Sequence, residues 1–292
     1  MKTSIASAAA FTAFPKGKAR GANEKVIIGV MGLGGRGTYL AESFAMRPDV
    51  EIAYLSDANT RRFARAREAV EEAQGKRTKL VQDFRKILDD RNVDVLINAT
   101  PDHWHGLGTI MACQAEKDVY VEKPMCHNIW EGRKMIEAAR KYKRVVQVGM
   151  QSRSAAYSKK AKQYIESGKM GDIYLVRVFN MMKHSMMREA PNQPVPDGFD
   201  YDMWCGPAPK LPYNPARRWL NQWEYSCGPI PGDAIHQIDI ARYLLGDMPY
   251  PKSVSHAGGV NGLRDGRQTP DTQFATFDYG RLTLLLESAL WT

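Results

Sequence analysis

Four side chains in this sequence have types and spacings suited to acid–base chemistry. Two of them, Glu122 and Lys123, close the stretch DVYVEKPM, residues 118–125. Asp118 to Val121 is rich in β-branched and aromatic residues and reads as a short buried strand. It ends by presenting a carboxylate and an ammonium, and Pro124 then fixes the turn. The other two, Asp233 and His236, lie in GDAIHQIDIARYLLGD. Three residues is a spacing at which side chains meet on one helix face. A carboxylate beside an imidazole raises its basicity and fixes its tautomer, which suits a general base. The alternative is a helix N-cap aspartate followed by a surface histidine. As a helix, this segment puts Ile238, Ile240, Ala241, Leu244 and Leu245 on one arc. His236, Asp239 and Tyr243 fall on the other side, with Asp233 at the boundary.

The elements that position these groups begin with KVIIGVMGLGGRGTYLAESF. Val26 to Met31 is a continuous apolar run, as in a strand buried on both faces. Gly32-Leu33-Gly34-Gly35-Arg36-Gly37 follows, a G-x-G-x-x-G pattern leading into helical spacing. Gly32 permits the tight turn, Gly34 lets the backbone approach a pyrophosphate, and Gly37 lets helix and strand pack closely. The helix N-terminus then offers unpaired N–H groups to an anion. A second strand, VEIAYLSD, ends at Asp57, twenty residues after Gly37. An acid there bonds the adenosine ribose hydroxyls and repels a 2′-phosphate, favouring NAD over NADP. Arg61 and Arg62 keep NADP open, and Asp57 also has the alternative of capping the helix over 59–75.

Strand and helix then alternate: strand 93–100, helix 103–116, strand 118–121, helix 128–142 and strand 145–149. That rhythm predicts a parallel sheet with ligands outside the carboxyl ends of its strands. Glu122 and Lys123 stand at one such end. Thr100-Pro101-Asp102-His103-Trp104-His105 stands at the end before it, with Asp102 as a helix cap and His105 aimed into the crevice.

After Gly149 the pattern changes to a helix, then the longer alternating stretch DIYLVRVFNMMKH, then residues 184–228, rich in Pro, Trp, Tyr and Asn. A loop this long is functional or disordered. Trp204, Trp219 and Trp223, near Arg217, Arg218 and Asn221, favour an ordered loop suited to a polyhydroxylated ring. Residues 253–260, 272–279 and 281–291 read as strands joining 172–183 in an antiparallel or mixed sheet.

Composition narrows the function classes. The chain has 292 residues and a net charge of +9. Its basic residues are dispersed or interleaved with acids on helix faces, which argues against a nucleic-acid surface. No apolar run is long enough to span a bilayer. Residues 1–24 carry a short apolar run and a Pro/Gly/Lys/Arg stretch, like an export leader or an unpacked tail. Export predicts a periplasmic location; a plain tail leaves the protein in the cytoplasm. Cys113, Cys126, Cys205 and Cys227 form no CxxC pair, so no metal site is expected. Cys205 and Cys227 could pair in an exported protein, and free thiols are the alternative.

Taken in order, GLGGRG, Asp57, TPDHWH, VYVEKP, VGMQSRS, WCGPAP and HQIDIARYLLG resemble the glucose–fructose oxidoreductase/inositol dehydrogenase (Gfo/Idh/MocA) family, in its exported carbohydrate-acting branch. The resemblance runs from about Val26 to the C-terminus. It implies a Rossmann domain (25–150) followed by an α+β domain (151–292) with an open, mostly antiparallel, dihydrodipicolinate-reductase-like sheet. It also implies NAD(P)-dependent redox chemistry at a secondary alcohol of a sugar or cyclitol. Lys123 and His236 become catalytic, with Asp233 orienting the histidine. Thr100, Pro101, His105, Glu122, Lys123 and Gln151 join the glycine loop and Asp57 around the cofactor. Arg153, Trp204, Arg217, Trp219 and Asp239 fall to the substrate. Self-association through the second sheet is a further expectation.

Two departures stand out. Related dehydrogenases place the acid four residues before the histidine, where this chain has Gly232. Relatives also continue past the last strand, so the chain reads as a short form or a fragment. Competing readings are a redox-neutral NAD-dependent glycosidase and a non-catalytic NAD- or sugar-binding protein.

Overall fold

A computed structural model describes residues 25–291; the leader-like segment lies outside them. The first half alternates β1 (Val26–Met31), α1 (Gly35–Ala45), β2 (Val50–Ser56), α2 (Phe63–Gln74), β3 (Lys79–Val81), α3 (Arg85–Asp89), β4 (Val95–Asn98), α4 (His105–Gln114), β5 (Asp118–Val121), α5 (Ile129–Lys141) and β6 (Val146–Val148). The strands form one parallel sheet in the order β3-β2-β1-β4-β5-β6. Adjacent residues of β4 explain its unbroken apolar pattern. Leu96 packs with Phe84, Val119 and Met135 on one face. Ile97 packs with Ile28, Ile52 and Val70 on the other. Successive strand side chains point to opposite faces, and here each face is roofed by helices. Burying each such side chain stabilises by about 1.5–3 kcal/mol.

The second half adds α6 (Ala156–Glu166), β7 (Leu175–Met181), α7 (Tyr201–Cys205), α8 (Ile235–Leu244), β8 (Ser253–Gly259), β9 (Thr272–Asp278) and β10 (Thr283–Ala289). Its sheet runs β7-β10-β9-β8. The β7–β10 pair is parallel and the other two pairs are antiparallel, so the sheet is mixed. Val178, Ala275, Phe277 and Leu286 cover Ala234 and Ile238 at the start of α8. The opposite face leaves Leu175, Phe179, Met181 and Phe274 exposed.

Sequence reading left residues 76–92 without elements, and β3 and α3 lie there. A five-residue π turn, Ile230–Ala234, precedes α8. The 184–228 loop is mostly irregular, but it is tied down: Asp200 N–H donates to the Ala58 carbonyl (2.9 Å) and Thr60 N–H to that of Gly198 (2.9 Å). All four cysteines are free, with Cys205 buried beside Tyr225 and Cys227 donating to Asp102. No helix among the described residues is long and apolar enough to cross a membrane, and they hold no His/Cys/Asp/Glu cluster able to bind a metal.

Candidate active site

The glycine loop joins β1 to α1. Gly32 has φ +90°, and a Cβ there would lie 2.7 Å from the Ala99 carbonyl oxygen. A Cβ on Gly37 would overlap the Gly32 carbonyl oxygen, so α1 packs onto the loop only with glycine at that position. No side chain caps α1 at Gly34, which leaves its first-turn N–H groups for an anion. Leu33 is buried behind the loop and donates its N–H to Asp57 Oδ2 at 2.7 Å.

Asp57 also accepts from Asn59 N–H at 2.8 Å and lies 3.8 Å from Arg62 Nε. Asn59, not Asp57, caps the following turn by accepting from Arg61 N–H. Burial pushes the Asp57 carboxyl up, against the pull of its two N–H donors and Arg62. The carboxylate sits on the cleft wall with Gly34, Gly35 and Arg62. These residues fit the adenosine half of a dinucleotide.

β5 delivers Glu122 and Lys123. Glu122 is buried and accepts from Arg36 Nε at 2.7 Å and from Lys123 N–H at 3.2 Å. It thereby straps the first turn of α1 to the end of β5. The Lys123–Pro124 peptide is cis. Lys123 Nζ donates across the domain boundary to the Gly232 carbonyl.

The cleft between the domains has a volume of 590 Å³. Thr100, Pro101, Glu122 and Lys123 line it from the first domain. Trp204, Arg217, Trp219 and Asp233 line it from the second, joined by Phe199, Tyr213 and Asn214, which the sequence did not single out. The aromatic richness of the loop was the available signal. Those rings form one cluster, with Tyr201 stacked on Trp204 at 5.6 Å.

His236 stands one turn beyond Gly232, behind the cleft lining rather than on it, and is half-buried, its Nδ1 enclosed without a hydrogen-bond partner. Burial lowers its pKa, and the Lys123 ammonium lowers it further, against Glu122 and Asp233. The imidazole is therefore kept neutral within reach of Lys123's field.

Several expectations need correction. Asp233 does not orient His236; its carboxylate lies 3.8 Å from His184 Nε2. The π turn is wound more widely than an α-helix, so residues three apart no longer stack. His105 is fully buried rather than aimed into the crevice, its ring nitrogens 2.8 Å from the Thr100 carbonyl and 2.5 Å from that of Pro124. It fixes the two strand ends that carry the cleft wall.

Arg153 and Asp239 are not on the cleft. They pair with each other (2.7 and 2.8 Å), and Arg153 also reaches Asp247 at 2.8 Å, holding α8 to the segment before α6. Gln151 is exposed and does not line the cleft. Asp102 caps nothing; buried, it accepts from Cys227 N–H (3.1 Å) and Sγ (3.2 Å). His103 Nε2 bonds the Trp204 carbonyl at 2.9 Å, and Trp104 Nε1 bonds those of Met203 and Trp204 at 3.0 Å. The TPDHWH segment thus serves mainly as a clamp between domains.

A six-stranded parallel sheet with an anion-ready glycine turn, closed by an open-sheet domain, defines a two-domain dinucleotide-binding protein. Residues 26–150 match the NAD-binding Rossmann fold of the Gfo/Idh/MocA oxidoreductases, and residues 154–259 match that family's C-terminal alpha/beta domain. The chain belongs to the Gfo/Idh/MocA oxidoreductase family and carries its NAD-binding domain.

Among its relatives is a myo-inositol 2-dehydrogenase of Thermotoga maritima, 27% identical over 75% of this chain and 55% of that protein. A levoglucosan dehydrogenase of Pseudarthrobacter phenanthrenivorans is 30% identical over 62% of this chain and 43% of that one. The chain spans about half the length of the curated relatives it matches. In fold it is similar to the WlbA dehydrogenase of Bordetella pertussis, solved with NADH and UDP-GlcNAcA. The TM-score is 0.73 at 24% identity, covering 92% of this chain and 68% of that one. A levoglucosan dehydrogenase solved with NADH and levoglucosan gives a TM-score of 0.70 at 22% identity, with the same coverage.

Proposed function

We propose that the protein transfers hydride between NAD and a secondary alcohol carbon of a sugar, cyclitol or related polyol. The observation carrying this reading is that Lys123, at the end of β5, reaches the turn that starts α8 inside the cleft lined by the glycine loop. Acid–base and nucleotide-binding groups thereby share one space.

NAD supplies the two-electron chemistry. The protein's part is acid–base and positional. Lys123 has three donors; one is given to Gly232, and the others can bond the reacting oxygen and stabilise negative charge on it. His236, neutral near pH 7, takes the hydroxyl proton in oxidation and returns it in reduction. Glu122, locked by Arg36, keeps the Lys123 backbone in place. Trp204, Trp219 and Arg217 hold the sugar ring by stacking and hydrogen bonds. The exposed apolar face of the second sheet supports self-association.

Incubation with NAD and a panel of inositols, hexoses and anhydrosugars tests the proposal. NADH appearing at 340 nm with at least one of them is the expected result. Release of an aglycone from glycosides without net NADH would replace the dehydrogenase with a redox-neutral glycosidase.

A further inference from the structure

Beside the cleft lies a second, more open cavity of 600 Å³. The two meet at Asn214 and Arg217, which line both. Several residues of the second cavity's lining are tied down by hydrogen bonds. The side chains of Asp265 and Arg267 are fully buried and paired at 2.8 Å, and Asp265 also accepts from Met187 N–H at 2.7 Å. Asn214 is fixed by donating to the Ala190 carbonyl at 2.7 Å, and Arg217 by donating to that of Pro212, also at 2.7 Å.

One polar residue of the lining is largely buried and has an uncommitted side chain. Gln222 is 5% exposed, yet its side-chain amide makes no hydrogen bond within the protein, although its backbone does. The amide's two donors and acceptor open onto the cavity, where water serves them unless a ligand replaces it. A sugar hydroxyl, both donor and acceptor, can replace it.

With Asp265 neutralised by Arg267, the charges left on the lining are Arg188, Arg217 and Glu189, a single net positive charge. With Arg217 held by the Pro212 carbonyl and Glu189 on the same lining, the site lacks the cluster of cationic donors a phosphate or nucleotide calls for, and an uncharged polyhydroxylated ring suits it better. The cleft itself, at 590 Å³, must house the cofactor's reactive end as well as the reacting ring, so a further ring has to go elsewhere.

We propose that this cavity is a second sugar-ring subsite, and that the substrate is a neutral glycoside of at least two rings whose linkage passes Asn214 and Arg217. The inference rests on the reading of the cleft as the place where the first ring reacts.

Calorimetry on the NADH-saturated protein tests it without requiring turnover. The probes are glucose against maltose and cellobiose, myo-inositol against galactinol, and UDP-glucose. The expected result is a two-ring probe bound at least about tenfold more tightly than its parent ring. Gln222→Leu, and separately the exposed Glu189→Gln, should each cut that ratio several-fold. The second variant carries the test if the first fails to fold. Two-ring probes binding no better than their parents, a ratio untouched by the variants, or UDP-glucose as the tightest ligand would overturn the proposal. A failure of the dehydrogenase reading shows separately, as absence of NADH formation alongside intact binding.

Discussion

Lys123 Nζ donates to the Gly232 carbonyl, so a side chain from the first domain is bonded to the backbone of the second at the base of the cleft. Gly232 stands four residues before His236, where the family resemblance led to the expectation of an acid. In this chain the backbone oxygen takes the lysine, and the nearby carboxylate, Asp233, turns to His184. Asp233 then acts on His236 only through its field. Asp233→Asn should lower kcat by less than about tenfold, well short of losing a general base. Steady-state kinetics with the best sugar from the panel check this; a loss of a thousandfold would restore Asp233 to a direct role.

Asp57 should set cofactor choice. It is held by Leu33 and Asn59 N–H groups with Arg62 at 3.8 Å. Asp57→Ser removes the charge that repels a 2′-phosphate and frees Arg62 to meet one. Fluorescence titration should show NADH binding weakened about tenfold or more and NADPH binding strengthened. An unchanged NADH/NADPH ratio would remove Asp57 from recognition.

Arg153 and Arg217 should behave oppositely, although both were expected to bind substrate. Arg153 is spent on Asp239 and Asp247. Its side chain is 34% exposed, so solvent screens the pairs and their net worth is about 1 kcal/mol or less. Arg153→Met should shift the denaturant midpoint slightly and leave KM for sugar alone. Arg217→Ala should raise KM with little change in stability, since Arg217 lines the cleft.

Stability should fall on mild acidification. His103, His184 and His236 all have pKa values held below the ordinary 6.5, each chiefly by burial. Below pH 6.5 the unfolded chain therefore binds protons that the native state resists. The stability these residues contribute is full above that pH and is lost as pH falls toward their native values. Each unit of depression is worth about 1.4 kcal/mol per group. Urea midpoints should drop between pH 7.5 and 5.5, a window above the range of the ordinary carboxylates; a midpoint that rises would contradict the burial of these rings.

Much of the scaffold was legible because its signals are local. Val26 to Met31 is apolar throughout since both faces of β1 are covered. The three last strands fell within a few residues of their predicted ranges because their alternation is long. β3, at three residues, is too short for a period to register, and so is α3 at five.

The site was legible by residue but not by partner. Glu122 and Lys123 were visible as the end of a strand. That Glu122 takes Arg36, 86 positions earlier, depends on how the sheet brings β5 beside the glycine turn. Arg153 and Asp239, also 86 apart, were each assigned to the substrate, and only the fold shows that they pair with each other. His105 shows the limit of residue type: an imidazole at a strand end can face a ligand or tie two carbonyls together, and here it ties.

The central claim is that Lys123 stabilises charge on the reacting oxygen, and single-turnover kinetics of Lys123→Met test it most directly. Stopped-flow absorbance of NAD reduction by the preferred sugar should slow by at least about a hundredfold, while NAD affinity stays within a few-fold of the parent. A reduction rate equal to that of the unaltered protein would remove the lysine, and with it the proposed mechanism, from the account.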